Sequence, residues 1–417
     1  MRLSKALVAK ACEALEQLLS FSEPADERLS RFFRAHRELG QQDRAFIAET
    51  AFAVLRRLRS LESAAGGRAP HLLVLAALVR VHGLSARALQ GVLSPEDEQR
   101  VAAVRARRGE ELPAAVRADL PDWLWDKLVE QQGAHAMERA QGFLNPAPLD
   151  LRVNLARIAR DAALEALHKD GIEGEATRFS PAGIRLKGKP AINRHALFRD
   201  GLVEVQDEGS QLLAWLLAPR RGEMIADYCA GAGGKTLALA MLMRGSGRIY
   251  AMDVSAKRLA ALSPRAARAG ITNVHPIVLS GERDPRAKRL AGKMDRVLVD
   301  APCSGFGTLR RNPDLKWRHA QAAVAELAAK QARILEAAAG LVKPGGRLVY
   351  ATCSILREEN EAIAAHFASR HPELRLLPSR DLLAAQRIDL DTGEYLRLWP
   401  DLHGMDGFFA AAFERAA

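Results

Sequence analysis

Cysteine is scarce in this chain of 417 residues, which contains only Cys12, Cys229, Cys303 and Cys353. None of the four forms a CxxC pair and no nearby histidine cluster has zinc-finger spacing, so the sequence argues against a structural metal. Few, widely spaced cysteines in a long chain also argue against a disulfide framework and fit a reducing compartment. We therefore expect a cytoplasmic protein without a metal site.

Long hydrophobic runs are absent as well, since nowhere do about eighteen apolar residues follow one another. Residues 1–20 have the pattern of an amphipathic helix that carries Lys5, Lys10 and Glu13, and lack a signal-peptide core. The sequence thus predicts no membrane segment. Aromatic residues make up only 5% of the chain, so any base-stacking surface must be small and local.

Basic residues outnumber acidic ones, with 61 Lys and Arg against 50 Asp and Glu and a net charge of +11. Such an excess is typical of proteins that bind an anionic partner, and nucleic acid is the first candidate. A general bias toward arginine explains the same composition equally well, so charge alone leaves both open. A chain of this length is expected to contain two or three domains.

The pattern of apolar residues divides the chain into three predicted regions. Residues 1–145 have helical spacing, for example at Ala11 and Leu15, with further helices from about Gln42 and over Leu72–Val81. This region is predicted to be an all-helical domain without a catalytic cluster.

Residues 146–200 are predicted to form a small α+β unit. It contains predicted strands at 149–153, 176–179 and 183–187 and a helix at 161–169. Its basic residues suit an RNA-docking insert, although a solvated linker domain is an equally good explanation; they are Arg178, Arg185, Lys187, Lys189, Arg194 and Arg199.

Residues 201–417 alternate between strands and helices, which predicts an α/β domain with a doubly wound, mostly parallel sheet. The predicted strands are 224–227, 248–253, 274–279, 295–300, 347–352 and 408–413. The main predicted helices are 236–244, 256–269 and 320–341.

A glycine-rich turn, Cys229–Thr236, follows the first of these strands and precedes a helix. Glycines at a helix N-terminus let backbone N–H groups approach a ligand. The next strand ends in Asp253, whose carboxylate is placed to accept hydrogen bonds from ribose hydroxyls. The two features together predict a nucleoside-containing cofactor.

Two other nucleotide motifs match this turn less well. The dinucleotide pattern GxGxxG requires glycine where Thr236 stands. The P-loop pattern matches Gly234, Lys235 and Thr236, but its first glycine is replaced by Cys229. A nucleoside triphosphatase, with Asp300 as its acidic strand end, remains the alternative at this point.

Cys303 and Cys353 each follow the carboxyl end of a predicted parallel strand, at the edge where doubly wound folds bind ligands. Structural cysteines usually lie inside strands or helices, where they act as small apolar residues. Two cysteines at strand ends, flanked by Pro, Ser and Gly, are therefore candidates for chemistry.

Several segments resemble the RsmB/Sun (NSUN) family of RNA 5-methylcytosine methyltransferases. They are Gln206–Gln211, Asp300–Gly305, Arg310–Trp317, Thr352–Ser354 and His403–Phe409. The resemblance extends from about Ala147 to the C-terminus and implies a Rossmann-like class I methyltransferase domain. Residues 1–145 resemble the NusB-like RNA-binding domain that precedes the catalytic part in bacterial members.

The resemblance implies S-adenosylmethionine as cofactor and assigns roles to four residues. Cys353 is the nucleophile that adds to carbon 6 of cytosine, and Cys303 acts in the release step. Asp300 holds the cytosine at its N3 and amino edge. Lys235 contacts the methionine carboxylate, the target base, or both. The implied cofactor-binding residues are Cys229, Ala230, Gly231, Ala232, Gly233, Gly234, Lys235, Asp253, Glu282 and Asp300.

The sequence departs from the family pattern at two places. The usual Ala-Pro-Gly-Gly-Lys turn has Gly231 and Ala232 in its first two positions, which removes the proline and predicts a looser turn with weaker cofactor binding. The usual adenine-side aspartate has no clear equivalent, so Glu282 and Asp284 are both candidates and we favour Glu282.

The expected substrate is RNA, with small-subunit ribosomal RNA first and tRNA second, and the protein is expected to be a monomer. Basic residues near the predicted pocket suit phosphate contacts; they are Arg286, Lys288, Arg289, Lys293, Arg296, Arg310, Arg311, Lys316 and Arg318. A non-catalytic RNA-binding or ribosome assembly factor is the non-enzymatic alternative, although the retained cysteines argue against it.

Overall fold

The computed structural model describes residues 3–107 and 111–417. The chain forms two compact units, and each contains residues from more than one part of the sequence. The helical unit contains residues up to Pro146 and Thr308–Gln321, and the α/β unit contains Ala147–Gly307 and Ala322–Ala417. Among the described residues, no helix has the length and apolar character needed to cross a membrane.

The helical unit confirms the all-helical prediction for residues 1–145 within its described part. Its helices up to Pro146 are α1 Lys5–Leu18, α2 Ala25–Ala35, α3 Gln41–Arg56, α4 Leu58–Ala65, α5 Pro70–Arg80, α6 Ala86–Leu89, α7 Pro95–Ala106, α8 Ala114–Arg117, α9 Asp122–Gln132 and α10 Ala136–Gly142. Leu15, Ile47 and Leu73 are completely buried and lie in its core. Local signals set the helix ends: the Ser4 hydroxyl caps α1, and Gly66 ends α4 in the left-handed conformation.

The α/β unit begins with a small antiparallel sheet. Its elements are β1 Leu149–Val153, α11 Arg160–Lys169, β2 Gly174–Ala176, β3 Gly183–Leu186, α12 Ala196–Arg199 and β4 Val203–Val205. The strand order is β2-β3-β1-β4. The predicted strand at 176–179 was placed too late, because the chain turns after Ala176 and Phe179 lies beyond the strand. Strand β4 was not predicted.

The larger part of the α/β unit contains the second sheet and its covering helices. The same stretch of sequence also includes one short helix, α18, that belongs to the helical unit. The elements are α13 Glu208–Leu217, β5 Met224–Asp227, α14 Gly234–Leu242, β6 Arg248–Asp253, α15 Ala256–Ala260, α16 Leu262–Arg268, β7 Val274–Val278, α17 Pro285–Lys288, β8 Met294–Asp300, α18 Leu315–Arg318, α19 Gln321–Ala339, β9 Val342–Thr352, α20 Glu361–Arg370, β10 Leu374–Leu377, α21 Ser379–Ala385, β11 Leu396–Leu398, α22 Pro400–His403 and β12 Phe408–Arg415.

The large sheet has the strand order β10-β12-β9-β8-β5-β6-β7, with β11 paired to β12. Strands β5 to β9 run parallel, while β12 is antiparallel to both β9 and β10. The doubly wound, mostly parallel prediction is therefore confirmed. Strand β5 lies between β8 and β6, so the strand order reverses there and a ligand crevice is expected at the carboxyl edge.

The segment Thr308–Gln321, which follows β8 in sequence, is part of the helical unit. Trp317 Nε1 donates to the carbonyl of Leu55 at 2.7 Å, and Lys316 Nζ donates to the carbonyl of Arg56 at 2.8 Å. The Arg56 guanidinium in turn donates to the carbonyl of Arg310 at 3.0 Å. Lys316 is only 2% exposed. The prediction that Lys316 contacts phosphate is therefore wrong, because its ammonium is buried inside the helical unit.

The buried position of Lys316 predicts a pH-dependent stability. Burial lowers the pKa of Lys316 to about 7, from 10.5 in the unfolded chain. Between these values the unfolded chain binds more protons, so the free energy of unfolding rises with pH across this window. We expect Lys316→Met to remove at least about 1.4 kcal/mol of that rise, which corresponds to one pKa unit.

The measurement is the thermal midpoint by circular dichroism at pH 7 and pH 10. Between pH 7 and pH 10, the thermal midpoint of the wild type should rise by at least about 2 °C more than the midpoint of the Lys316 variant. Lys10→Met, at a partly exposed lysine of α1, is the control and should follow the wild type. Parallel pH profiles for the Lys316 variant and the wild type would contradict the prediction.

Candidate active site at the carboxyl ends of the parallel strands

The glycine-rich turn between β5 and α14 is held by Asp253 at the end of β6. One oxygen of Asp253 accepts from the Gly231 N–H at 2.8 Å, and the other accepts from the Ser255 N–H at 2.7 Å. Gly231 and Gly233 have φ values of 56° and 84°, a region that favours glycine. Each carboxylate oxygen keeps a lone pair for a further donor, such as a ribose hydroxyl.

The turn has a second support at Ala232, the position where the family has proline. Arg265 of α16 donates to the Ala232 carbonyl at 2.6 Å, and its other terminal nitrogen contacts Glu204 at 3.0 Å. The backbone is thus fixed by hydrogen bonds at the position that lacks the ring. Weaker cofactor binding, which the sequence predicted from the missing proline, stays a prediction.

The loop after β7 distinguishes Glu282 from Asp284. Asp284 accepts from the side chain and N–H of Arg286 and from the N–H and hydroxyl of Ser280, and these hydrogen bonds hold its pKa far below the usual range. Its carboxylate therefore forms its hydrogen bonds within the loop. Glu282 is 30% exposed at its side chain and has Arg333 at 3.7 Å. Both line a cavity of about 730 Å³, and only Glu282 has a carboxylate free of short hydrogen bonds within the loop.

Lys235 and Asp300 form an ion pair at the centre of the site. Lys235 Nζ lies 2.6 Å from the Asp300 carboxylate and 5.6 Å from the centroid of the Phe408 ring. Burial acts to lower the pKa of Lys235, but the Asp300 carboxylate outweighs it and the net shift is upward, with Cys353 adding to the rise. The lysine therefore stays charged, close to the Cys353 sulfur.

The structure brings Cys303 and Cys353 together, with their sulfurs 3.4 Å apart. Both side chains are partly exposed. The hydrogen bond to Cys353, together with burial, raises the pKa of Cys303. Either sulfur can be the donor of this contact. Burial also raises the pKa of Cys229, which remains a neutral thiol beside the glycine-rich turn.

A buried carboxylate, Glu359, joins the loops that carry the two cysteines. One of its oxygens accepts from the Ser304 N–H at 2.8 Å and from Gln331 at 2.9 Å, and the other accepts from the hydroxyls of Ser304 and Ser354. Glu359 is fully buried. Sequence reasoning missed both Glu359 and Gln331, because neither lies at a strand end or in a glycine-rich segment.

The tail motif contributes to the same loop through a close backbone contact. The Gly407 N–H donates to the Gly307 carbonyl at 2.7 Å, and the Gly307 N–H donates to the Cys353 carbonyl at 2.8 Å. A Cβ atom on Gly307 would lie 2.0 Å from the Gly407 carbonyl oxygen. Only glycine therefore fits at position 307, which explains a glycine four residues after Cys303.

This chain is similar to known methyltransferases in sequence and in structure. The family model of the 16S rRNA methyltransferase RsmB/F matches residues 214–414, and the model of the RsmF/B-like, ferredoxin-like domain matches residues 120–193. A probable ribosomal RNA small subunit methyltransferase B from Synechocystis sp. is 36% identical over 310 residues, covering 74% of this chain and 69% of the relative. The ribosomal RNA small subunit methyltransferase B of Erwinia tasmaniensis is 32% identical over 405 residues, covering 90% and 92%.

The chain belongs to the RsmB/F methyltransferase family. A solved structure agrees: a methyltransferase homolog protein from Pyrococcus horikoshii has a TM-score of 0.62 and 29% identity, over 72% of this chain and 97% of that one. The Rossmann-like class I methyltransferase fold expected from the sequence is thereby confirmed. The paired thiols, the glycine-rich turn and Asp253 lie at the carboxyl edge of the parallel strands, where doubly wound folds bind ligands.

We expect Glu359→Ala to separate the two cysteine loops. The change leaves the buried Ser304 N–H without its acceptor, at a cost of about 1–3 kcal/mol, and the Gln331 amide keeps only the Pro302 carbonyl. Mass-spectrometric alkylation rates of Cys303 and Cys353 should increase and the thermal midpoint should fall. Glu361→Ala, at a carboxylate that pairs with Arg397, is the control. Unchanged alkylation rates in the Glu359 variant would argue against the joining role.

A second pair of variants tests the loop after β7. We expect Glu282→Gln to weaken S-adenosylmethionine binding by roughly tenfold, the cost of about one charge-assisted hydrogen bond. Asp284→Asn should instead lower the thermal midpoint, because it weakens the hydrogen bonds that form the loop. Calorimetric titration and thermal unfolding separate the two effects. A normal dissociation constant for the Glu282 variant would leave the adenine-side residue unassigned.

Proposed function

We propose that this protein transfers a methyl group from S-adenosylmethionine to carbon 5 of a cytosine in RNA, through a covalent bond between Cys353 and the base. The observation that carries the proposal is the thiol pair, with sulfurs 3.4 Å apart beside a charged lysine. Small-subunit ribosomal RNA is the proposed substrate, because the relatives are named for it.

The glycine-rich turn and two carboxylates suit the cofactor. Backbone N–H groups at the start of α14 face the end of β5, and Asp253 keeps lone pairs for the ribose hydroxyls. Glu282 is the proposed partner on the adenine side. S-adenosylmethionine supplies, when bound, an electrophilic methyl group on its sulfonium. Carbon 5 of cytosine is too poor a nucleophile to accept that methyl group directly, so the protein must activate the base.

Cys353 is the proposed activating group. Its thiolate adds to carbon 6 of the cytosine, which turns the ring into an enamine whose carbon 5 attacks the methyl group. The Cys353 sulfur and the charged Lys235 interact electrostatically. Asp300 accepts from the exocyclic amino group and fixes the edge of the ring where charge changes during addition.

Release requires loss of the proton on carbon 5 and departure of the Cys353 sulfur. Cys303 is the proposed residue for this step, because its sulfur lies 3.4 Å from the leaving sulfur and, as a thiolate, it accepts the proton from carbon 5. The carbon 5–carbon 6 double bond re-forms, the bond between sulfur and carbon 6 breaks, and methylated cytosine leaves. The target base must be single-stranded or flipped out for this contact.

The geometry argues against the triphosphatase alternative. In a P-loop the lysine reaches the phosphates and the threonine hydroxyl binds Mg²⁺. Here Lys235 pairs with Asp300, and the Thr236 hydroxyl donates to the buried Asp227 at 2.7 Å. Burial raises the pKa of Asp227 to about 7. Lys235 and Thr236 therefore both bond to carboxylates of the protein itself.

Two cysteine variants test the covalent mechanism. With total RNA and labelled S-adenosylmethionine, Cys353→Ala should lose methyl transfer by at least about 10³-fold, because the base is no longer activated. Cys303→Ala should accumulate a covalent protein–RNA adduct that survives denaturing gel electrophoresis. Cys12→Ala, in the core of the helical unit, should behave as the wild type.

The outcomes separate the alternatives. An adduct in the Cys353 variant and none in the Cys303 variant would reverse the two roles. Sequencing of converted cytosines identifies the RNA, and incorporation into tRNA alone would replace ribosomal RNA as substrate. Tight RNA binding without any methyl incorporation by the wild type would favour the non-catalytic assembly factor.

A further inference from the structure

The helical unit carries a groove between α2 and α3 that none of the proposed chemistry uses. It has a volume of about 580 Å³, and we call it the α2–α3 groove; its main lining residues are Leu29, Phe33, Arg34, Arg37, Arg44 and Phe52. On α2, Leu29, Phe33 and Arg37 recur every four residues, so they form one stripe along the helix and past its end. Arg44 and Phe52 are eight residues apart and share a face of α3. The groove thus lies where a row of side chains on α2 faces a row of side chains on α3.

The arginines of this groove are not neutralised by the protein. Within residues 3–107 and 111–417, no carboxylate lies within ion-pair distance of Arg34, Arg37 or Arg44. By contrast, Arg28 and Arg31 of the same helix both pair with Glu23. Asp26 also lines the groove, so the groove carries the positive charges of three arginines and the negative charge of one carboxylate. The groove therefore attracts an anion, whereas the neighbouring surface of α2 does not.

Aromatic rings lie beside these charges. Phe33 and Phe52 are half-buried and line the groove, in a chain whose aromatic content is only 5%. The guanidinium carbon of Arg44 lies 5.8 Å from the centroid of the Phe33 ring, and Arg44 Nε donates to the Leu39 carbonyl at 2.9 Å. A ring face and a fixed guanidinium plane thus occur side by side. Flat rings and anionic groups alternate in the same way along single-stranded nucleic acid.

We propose that the α2–α3 groove binds a single-stranded stretch of RNA, with a base against Phe33 and Phe52 and phosphates on Arg34 and Arg37. The proposal rests on the proposed function, which makes RNA the substrate. An acidic peptide would satisfy the arginines but leave the two phenylalanine rings without a flat partner. The groove would add affinity for the RNA and leave the chemistry of the methyl transfer to the cysteine site.

Direct RNA binding by the full-length protein, without S-adenosylmethionine, tests the groove. The probe is a fluorescein-labelled single-stranded RNA of about twelve nucleotides, followed by anisotropy at several salt concentrations. Arg34→Gln combined with Arg37→Gln should weaken binding about tenfold. The slope of log K against log salt should fall by about 1.4, or about 0.7 for each lost phosphate contact. Phe33→Leu keeps the apolar contact but loses the ring face, so it should weaken binding roughly fivefold with the slope unchanged.

The matched control is Arg28→Gln combined with Arg31→Gln, which removes the same charge from the same helix outside the groove. It should stay within about twofold of the wild type and keep its salt slope. Equal losses in the groove and control variants would overturn the proposal, since the effect would then be overall charge. Normal binding by Phe33→Leu would overturn the stacking contact. A poly-glutamate peptide that displaces the RNA at equal charge would favour an acidic protein partner.

Steady-state methylation separates this proposal from the proposed function. The groove variants should raise KM for RNA about tenfold and leave kcat unchanged, because the groove residues touch no reacting atom. A lowered kcat with unchanged KM would contradict the groove as a binding site. If the wild type transfers no methyl group, the proposed function fails, while the anisotropy result still decides whether the groove binds RNA.

Discussion

The two thiols belong to loops that follow different strands, and the hydrogen bonds of one buried carboxylate hold those loops together. Glu359 accepts hydrogen bonds from Ser304, Ser354 and Gln331. A carboxylate out of water is costly unless its lone pairs are satisfied, so the buried state requires both loops at once. The sulfur separation of 3.4 Å follows from this requirement. The contact between the two thiols therefore depends on the packed interior beneath their loops as well as on the strand ends.

The order of the strands brings the remaining groups to the same edge. Because β5 lies between β8 and β6, the glycine-rich turn has Asp300 on one side and Asp253 on the other. Lys235, in the first turn of α14, reaches across to Asp300. Each of these residues ends a strand or lies in the first turn of a helix, so the pattern of strands and helices was enough to predict that they meet at this edge. The roles of Lys235 and Asp300 came from the family resemblance. Parallel strands with helical crossovers leave few other places for strand-end residues to meet.

Other features could not be predicted from the sequence, for physical reasons that differ from case to case. Trp317 and Lys316 donate to main-chain carbonyls of Leu55 and Arg56, and carbonyl acceptors leave no signal in the residue types around them. Lys316 was predicted to lie near the substrate pocket because it is basic, whereas the fold buries it in the helical unit. Strand β12 was predicted as a strand, but its antiparallel direction depends on how the chain returns after α22. Glu359 resembles any charged residue near a helix start until its burial is known.

The groups that surround the two cysteines differ. The hydrogen bond with Cys353, together with burial, raises the pKa of Cys303. Lys235 keeps its charge because Asp300 outweighs its burial, and the Cys353 sulfur contributes to that balance. The two thiols thus lie in different surroundings at the same edge of the sheet. The family resemblance supplies the proposed order in which they act, with Cys353 adding to the base and Cys303 assisting its departure.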